Sequence, residues 1–193
     1  NLGNEAVTLT DTSLAAARLN TLDGLTSGVV NAATVTTLTG TAAAVAASYA
    51  ANTAGTISGL ANEAVTITNT HTLAQLKAIN NATTGTITLN TYTEALSGSA
   101  ADVEDALTAT LADTYSGVVT LNDTTLAAAD LNTVNGLTTG AVNAASVNTL
   151  TGTCAAVDTA YDANTAGTIT NLGNEAVTLS DTTLGAADLN TLN

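Results

Sequence analysis

The chain of 193 residues carries a formal net charge of −14 at pH 7, with Arg18 and Lys77 as its only Lys or Arg residues. Neutralising phosphates requires Lys and Arg, so the composition excludes nucleic acid as an expected partner, and an anionic membrane surface would repel the chain. Thr and Ala supply 42 and 39 residues, and Pro, Met, Phe and Trp are absent, so any core must be thin and built from Ala, Val, Leu and Ile.

Residues 1–23 read NLGNEAVTLTDTSLAAARLNTLD, and residues 171–193 read NLGNEAVTLSDTTLGAADLNTLN. The chain between them varies the same phrase. Short β-like runs recur at Val7-Thr8-Leu9, Val30-Asn31-Ala32, Val65-Thr66-Ile67, Ile87-Thr88-Leu89, Val119-Thr120-Leu121, Val142-Asn143-Ala144 and Val177-Thr178-Leu179. Their first residues are spaced 23, 35, 22, 32, 23 and 35 apart, so a short unit alternates with a long one. The whole of 1–193 reads as one continuous array, with repeat pairs at 1–58, 59–112, 113–170 and a partial 171–193.

Each short unit is expected to be a strand followed by a helix. Asp11, Asn69, Asp123 and Asp181 follow the strands and are the expected N-caps of the Ala/Leu-rich runs behind them. Ala127, Leu131 and Val134 then share one helical face. Gly28, Gly85 and Gly140 close the unit. Each long unit begins with a strand, after which LTGTAAAV (38–45), LSGSAADV (96–103) or LTGTCAAV (150–157) opens a second helix. A return segment, such as 52–60, carries Ile57 and Leu60 to the next strand. The copy at 69–85, with His71, Gln75 and Lys77, diverges most, and His71 is expected at the surface.

Strands joined by helical crossovers pair in parallel, and such crossovers are right-handed in nearly all cases. The expected fold class is therefore α/β: a right-handed β-α solenoid, like a leucine-rich repeat, with one parallel sheet and the helices on its other side. Val7 and Leu9 oppose Thr8 and Thr10, which leaves one sheet face apolar and covered and the other polar and bare.

Three residue sets are candidate sites. Thr8, Asn31, Thr66, Thr88, Thr120, Asn143 and Thr178 should line the bare face, one per strand about 4.8 Å apart, as a platform for ice, glycan or mineral. The bland alternative is that Thr simply suits strands. Asn20, Asn132 and Asn190 should form a structural ladder at helix ends. Glu5, Glu63 and Glu175, in the phrase NEAV, are weak cation candidates; without an EF-hand loop or a GGxGxD repeat, Ca²⁺ would be held only diffusely. Cys154 takes the place of Ala42 and Ala100 and reads as a small core residue, and Tyr49 and Tyr161 exchange with Leu107 and read as packing. No catalytic residues and no cofactor emerge.

The phrases LGNEAVTLSDTTLGAADLNTLN and VNAASVNTLTGTCAAV resemble tandem repeats of very large secreted or cell-surface proteins of marine cyanobacteria and other marine bacteria. The resemblance spans the whole chain. It implies an extracellular or cell-surface location and a structural or adhesin-like role, and it brings no catalytic residues. The expected function is thus a stiff spacer, sheath or adhesive stalk, not an enzyme. A binding module on the Thr/Asn face is the alternative, and a viral fibre is compatible. No run of about 18 apolar residues occurs, so no membrane insertion is expected. The expected partners are further copies of the repeat, with surface glycans as a second class. Neither end resembles a polar cap, so the array is expected to continue covalently beyond both ends or to stack end to end into a filament.

Overall fold

The computed structural model describes residues 2–192. It is a mixed α/β structure with parallel sheets and, among the described residues, seven helices. Its contacts divide it into two compact units, one of Asn1–Tyr92 with Asp105–Asp113, the other of Thr93–Glu104 with Thr114–Asn193.

In the first unit, β1 (Val7–Thr8), β3 (Val30–Asn31) and β5 (Ile57–Ser58) form one sheet, all parallel. A second sheet runs β2 (Ser13–Ala15), β4 (Thr37–Gly40), β6 (Ala64–Ile67) and β7 (Ile87–Thr88). Helix α1 (Ala16–Asp23) packs on α2 (Ala42–Ala54), and α2 packs on α3 (Leu73–Asn80).

The second unit repeats the pattern. One sheet orders β13 (Ile169–Thr170), β11 (Val142–Asn143), β9 (Val119–Leu121) and β8 (Leu96–Gly98). The other orders β10 (Thr125–Ala127), β12 (Thr149–Gly152) and β14 (Ala176–Leu179). Helix α5 (Ala128–Leu137) packs on α6 (Cys154–Ala166), and α6 on α7 (Ala186–Thr191). Helix α4 (Ala100–Leu107) is shared by the division, 100–104 with the second unit and 105–107 with the first.

Two expectations are corrected here. Among the described residues the single sheet is instead four short ones, because most units fold into two or three extended runs, while the short unit that begins at Val65 has β6 alone. The phrase TLTG does not begin a helix either. It is the strand β4 or β12, and the Thr after it, Thr41 or Thr153, caps the helix through its hydroxyl with Ala44 N–H or Ala156 N–H, each at 3.2 Å.

Register explains the core. Leu14, Leu38, Val65 and Ile87 stand in one column across the β2–β4–β6–β7 sheet, and Leu96, Val119, Val142 and Ile169 in another. Leu38, Ile87, Val119, Val142 and Ile169 are fully buried. Every second residue on β6 follows suit: Val65 and Ile67 are buried and Thr66 is half-exposed.

Successive copies approach so closely that glycine is required at the crossings. A Cβ on Gly85 would stand 2.1 Å from Glu63 O, and one on Gly28 2.4 Å from Glu5 O. Thr83, two residues before Gly85, seals the same crossing: its hydroxyl donates to Glu63 O at 2.8 Å and accepts from Gly85 N–H at 3.0 Å. Thr26 and Thr138 repeat this with Glu5 O and Gly117 O.

Gly85→Ala should therefore cost about 1–3 kcal/mol, the usual penalty of overpacking. Gly136, inside α5, has nothing within 4 Å of the place a Cβ would take and should behave oppositely. Gly136→Ala should add about 0.5–1 kcal/mol. Urea denaturation midpoints of the two variants check both signs.

Candidate functional site

The bare Thr/Asn face is not one row. Thr8 pairs in register with Asn31, and Asn31 with Ser58. Thr66 lies between Thr39 and Thr88 in a different sheet. Thr120 and Asn143 pair with each other, flanked by Ser97 and Thr170, while Thr178 pairs with Thr151. The predicted platform is thus four separate ladders. Asn31 and Asn143 are also occupied locally, each amide oxygen accepting from the N–H two residues on, Ala33 or Ala145, at 3.0 and 3.1 Å.

Asn20 and Asn132 sit on α1 and α5 and reach forward to the next helix. Asn20 Nδ2 donates to Ala44 O at 2.9 Å and Asn132 Nδ2 to Ala156 O at 2.9 Å. They join helix to helix; their hydrogen bonds do not run from one Asn to the next. Asn190 is exposed on α7. Asn80, which the recurrent phrase did not single out, donates to Asp105 O in the same way. The pair Ile79-Asn80, an apolar residue then Asn as in Leu19-Asn20, was the available signal. Asn52 and Asn164, which no recurrent phrase marks as sites, each exchange two hydrogen bonds with the backbone of Leu60 or Leu172 and pin the return segment.

Of the four residues that follow the strands, Asn69, Asp123 and Asp181 do cap helices, but each caps the helix of the preceding unit. Asn69 Oδ1 accepts from Ala42 N–H at 2.9 Å, Asp123 Oδ2 from Ala100 N–H at 2.8 Å, and Asp181 Oδ2 from Cys154 N–H at 2.7 Å. The helices expected to receive these caps start otherwise: α1 and α5 have Ala15 and Ala127 at the N-cap without a side-chain bond, and α3 uses a Thr72/Gln75 capping box. A carboxylate facing a helix N-terminus gains from both the hydrogen bond and the dipole.

Glu63 is fully buried and committed to the protein. Its Oε2 accepts from the Tyr49 hydroxyl at 3.0 Å and its Oε1 from Ala61 N–H at 2.9 Å. That leaves it inaccessible to a solvated ion. Glu175 accepts from Gly173 N–H at 2.8 Å and Asn174 N–H at 3.0 Å, with the Tyr161 hydroxyl beside it. Burial alone would raise the Glu175 pKa, but these hydrogen bonds outweigh it and hold the carboxyl below its ordinary value. Burial, first, and the neighbouring carboxylates push the Tyr49 and Tyr161 hydroxyls far above theirs. Glu5 is exposed. Among the described residues no three His, Cys, Asp or Glu side chains are grouped as a metal site requires, and no helix is long and apolar enough to cross a membrane.

Cys154 is buried at the start of α6, its Sγ 3.2 Å from Asp188 O. Burial and then Asp188, Asp181 and Asp158 push its thiol pKa up, the reverse of an activated thiolate. His71, expected at the surface, is buried, because the slipped copy turns it inward ahead of the α3 capping box. Lys77 pairs with Asp105 at 2.9 Å.

No protein-family model, no curated protein and no solved structure matches the chain.

Ser48 tests the helix-joining Asn. Its hydroxyl donates to Asn20 Oδ1 at 2.7 Å, whereas Ala160 stands at the matching place and Asn132 Oδ1 is buried with no hydrogen-bond partner. Ala160→Ser should supply that partner and raise stability by about 0.5–1 kcal/mol in urea melts.

Glu175 sets a pH dependence. Its folded pKa lies below its unfolded one, so its contribution is present above the unfolded carboxylate pKa and is lost as pH falls through the folded value. Glu175→Gln should flatten that part of the stability–pH curve in the acidic range, as read by thermal melts from neutral pH downward.

Proposed function

We propose that this chain is a structural repeat protein of the cell surface or an extracellular filament, a right-handed β-α solenoid serving as stiff spacer, sheath or adhesive stalk. The observation that carries this reading is where the recurrent polar side chains go. Asn20, Asn69, Asp123, Asn132 and Asp181 each bond to the backbone of a neighbouring copy. Glu63 and Tyr49 bond to each other. Residues that recur in order to hold copies together suit a load-bearing array, in which each unit is stabilised by its neighbours. The strong acidity keeps such an array soluble and gathers cations, Ca²⁺ included, diffusely.

A second reading, a module binding ice, glycan or mineral through its Thr/Asn ladders, draws support from the three in-register threonines Thr39, Thr66 and Thr88. The division into separate ladders weighs against an extended flat platform.

Pulling the chain by its ends in a force microscope tests the spacer. From Val7 to Val65 is 58 residues, and the same step recurs from Val119 to Val177. Unfolding should release contour length in increments of roughly 20 nm per repeat pair, at about 3.3–3.6 Å per residue. Extension without resistance would refute a load-bearing role, and thermal hysteresis abolished by Thr66→Tyr would favour the binding module.

A further inference from the structure

We propose that the surface formed by residues 2–25 is a docking site for a strand–helix segment of the kind Leu-[Thr/Ser]-Gly-[Thr/Ser]-[Ala/Cys], carried on polypeptide outside these 193 residues. The chain contains three worked examples of the complex. In each, a Leu-x-Gly strand pairs in parallel with the Val-Thr strand of the next unit: Leu38 beside Val65, Leu96 beside Val119, Leu150 beside Val177. The helix after that strand then directs its first N–H at the Asn or Asp four residues beyond the Val, as Ala42 does to Asn69, Ala100 to Asp123 and Cys154 to Asp181.

Where the seated helix is long, it has a second anchor. Tyr49 and Tyr161, seven residues into α2 and α6, meet Glu63 and Glu175, each six residues before the Asn or Asp.

Residues 2–25 present all of this except the helix. Val7 and Asp11 are four apart, and Glu5 and Asp11 six apart. Both acids are exposed. Among the described residues strand β1 pairs with β3 alone and β2 with β4 alone, so each is an edge strand of its sheet. Beside Asp11 lies an open groove of ≈ 320 Å³ lined by Leu9, Leu14, Leu22 and Leu25, with Arg18 at its side. In the copy at 119–137, Leu126 is 5% exposed and Val134 fully buried, while the matching Leu14 and Leu22 are half-exposed and Leu25 is 43% exposed.

The occupant is therefore specified by chemistry. Its Leu takes the place beside Val7, its first helical N–H meets Asp11, and a Tyr seven residues on meets Glu5. A second copy of this chain does not suit, because its own three such segments are already seated on Asn69, Asp123 and Asp181. The docking surface would serve a stalk and a binding platform alike.

The test adds a synthetic peptide copying residues 146–170 to the intact chain and follows binding by calorimetry and amide exchange. Saturable binding with new protection of Thr10 N–H is expected, because its counterparts Thr68, Asn122 and Ser180 donate to the Gly of the seated strand, Gly40, Gly98 or Gly152. Asp11→Ala should weaken binding about tenfold, as loss of a charged hydrogen bond would. Glu5→Gln should weaken it less, and not at all when the peptide carries Tyr161→Phe. Both substituted residues are exposed, and circular dichroism checks that the variants keep their fold. If the free peptide fails to bind, the same segment fused ahead of residue 1 decides: a melting temperature unmoved by the fusion, or moved equally with and without Asp11→Ala, overturns the proposal. Binding indifferent to Asp11, or self-association of the chain through this face without peptide, overturns it as well.

Discussion

The structure depends on one recurring requirement. A helix begins with backbone N–H groups that no residue of its own can satisfy, and leaving them buried and unpaired is costly. Here Thr41, Ser99 and Thr153 meet part of it from within, accepting from the N–H three residues on. The N1 group is left to a residue 23 to 27 positions later, Asn69, Asp123 or Asp181. Each such helix is thus completed only when the next unit has folded against it. The Asn side chains carry the coupling the other way: Asn20 and Asn132 bind a carbonyl in the following helix. Local structure and stacking become one cooperative event, which replaces what a thick aromatic core would otherwise supply.

Small side chains make that coupling possible. Hydrogen bonds of 2.7–2.9 Å between units demand close backbones. The composition delivers them: Ala16, Ala42, Ala128 and Ala144 are fully buried, and glycines stand where backbones cross. Little apolar area is gained per residue, so directional bonds carry a larger share of specificity than usual. The buried Glu63 is the extreme case. A carboxyl group with no exposed surface is accommodated because a Tyr hydroxyl and a backbone N–H meet both its oxygens. The same pairing limits ligand chemistry: a side chain already bonded to the next unit is not free to bind something else.

The sequence by itself determined the period, the parallel α/β class and the alternation that buries Val65 and Ile67 while Thr66 faces out. Those follow from repetition and from the period of two along a strand, which any local window displays. It also displays Asp123, Asp181, Asn20, Asn132, Glu63 and Glu175 as recurrent polar positions, and in the structure each is hydrogen-bonded to the protein. Their partners were decided by tertiary structure alone. A cap read from sequence is assigned to the helix that follows it, because N-caps are ordinarily local. Here the helix that is capped lies one unit back along the chain, a distance no window contains. Glu63 reads from the sequence as a weak cation candidate, but the fold sets the Tyr49 hydroxyl against it, and register divides the row of Thr and Asn expected on one sheet among four. Spacing along the chain fixes which residues recur, but only the stacking of one unit on the next fixes what each recurrence touches.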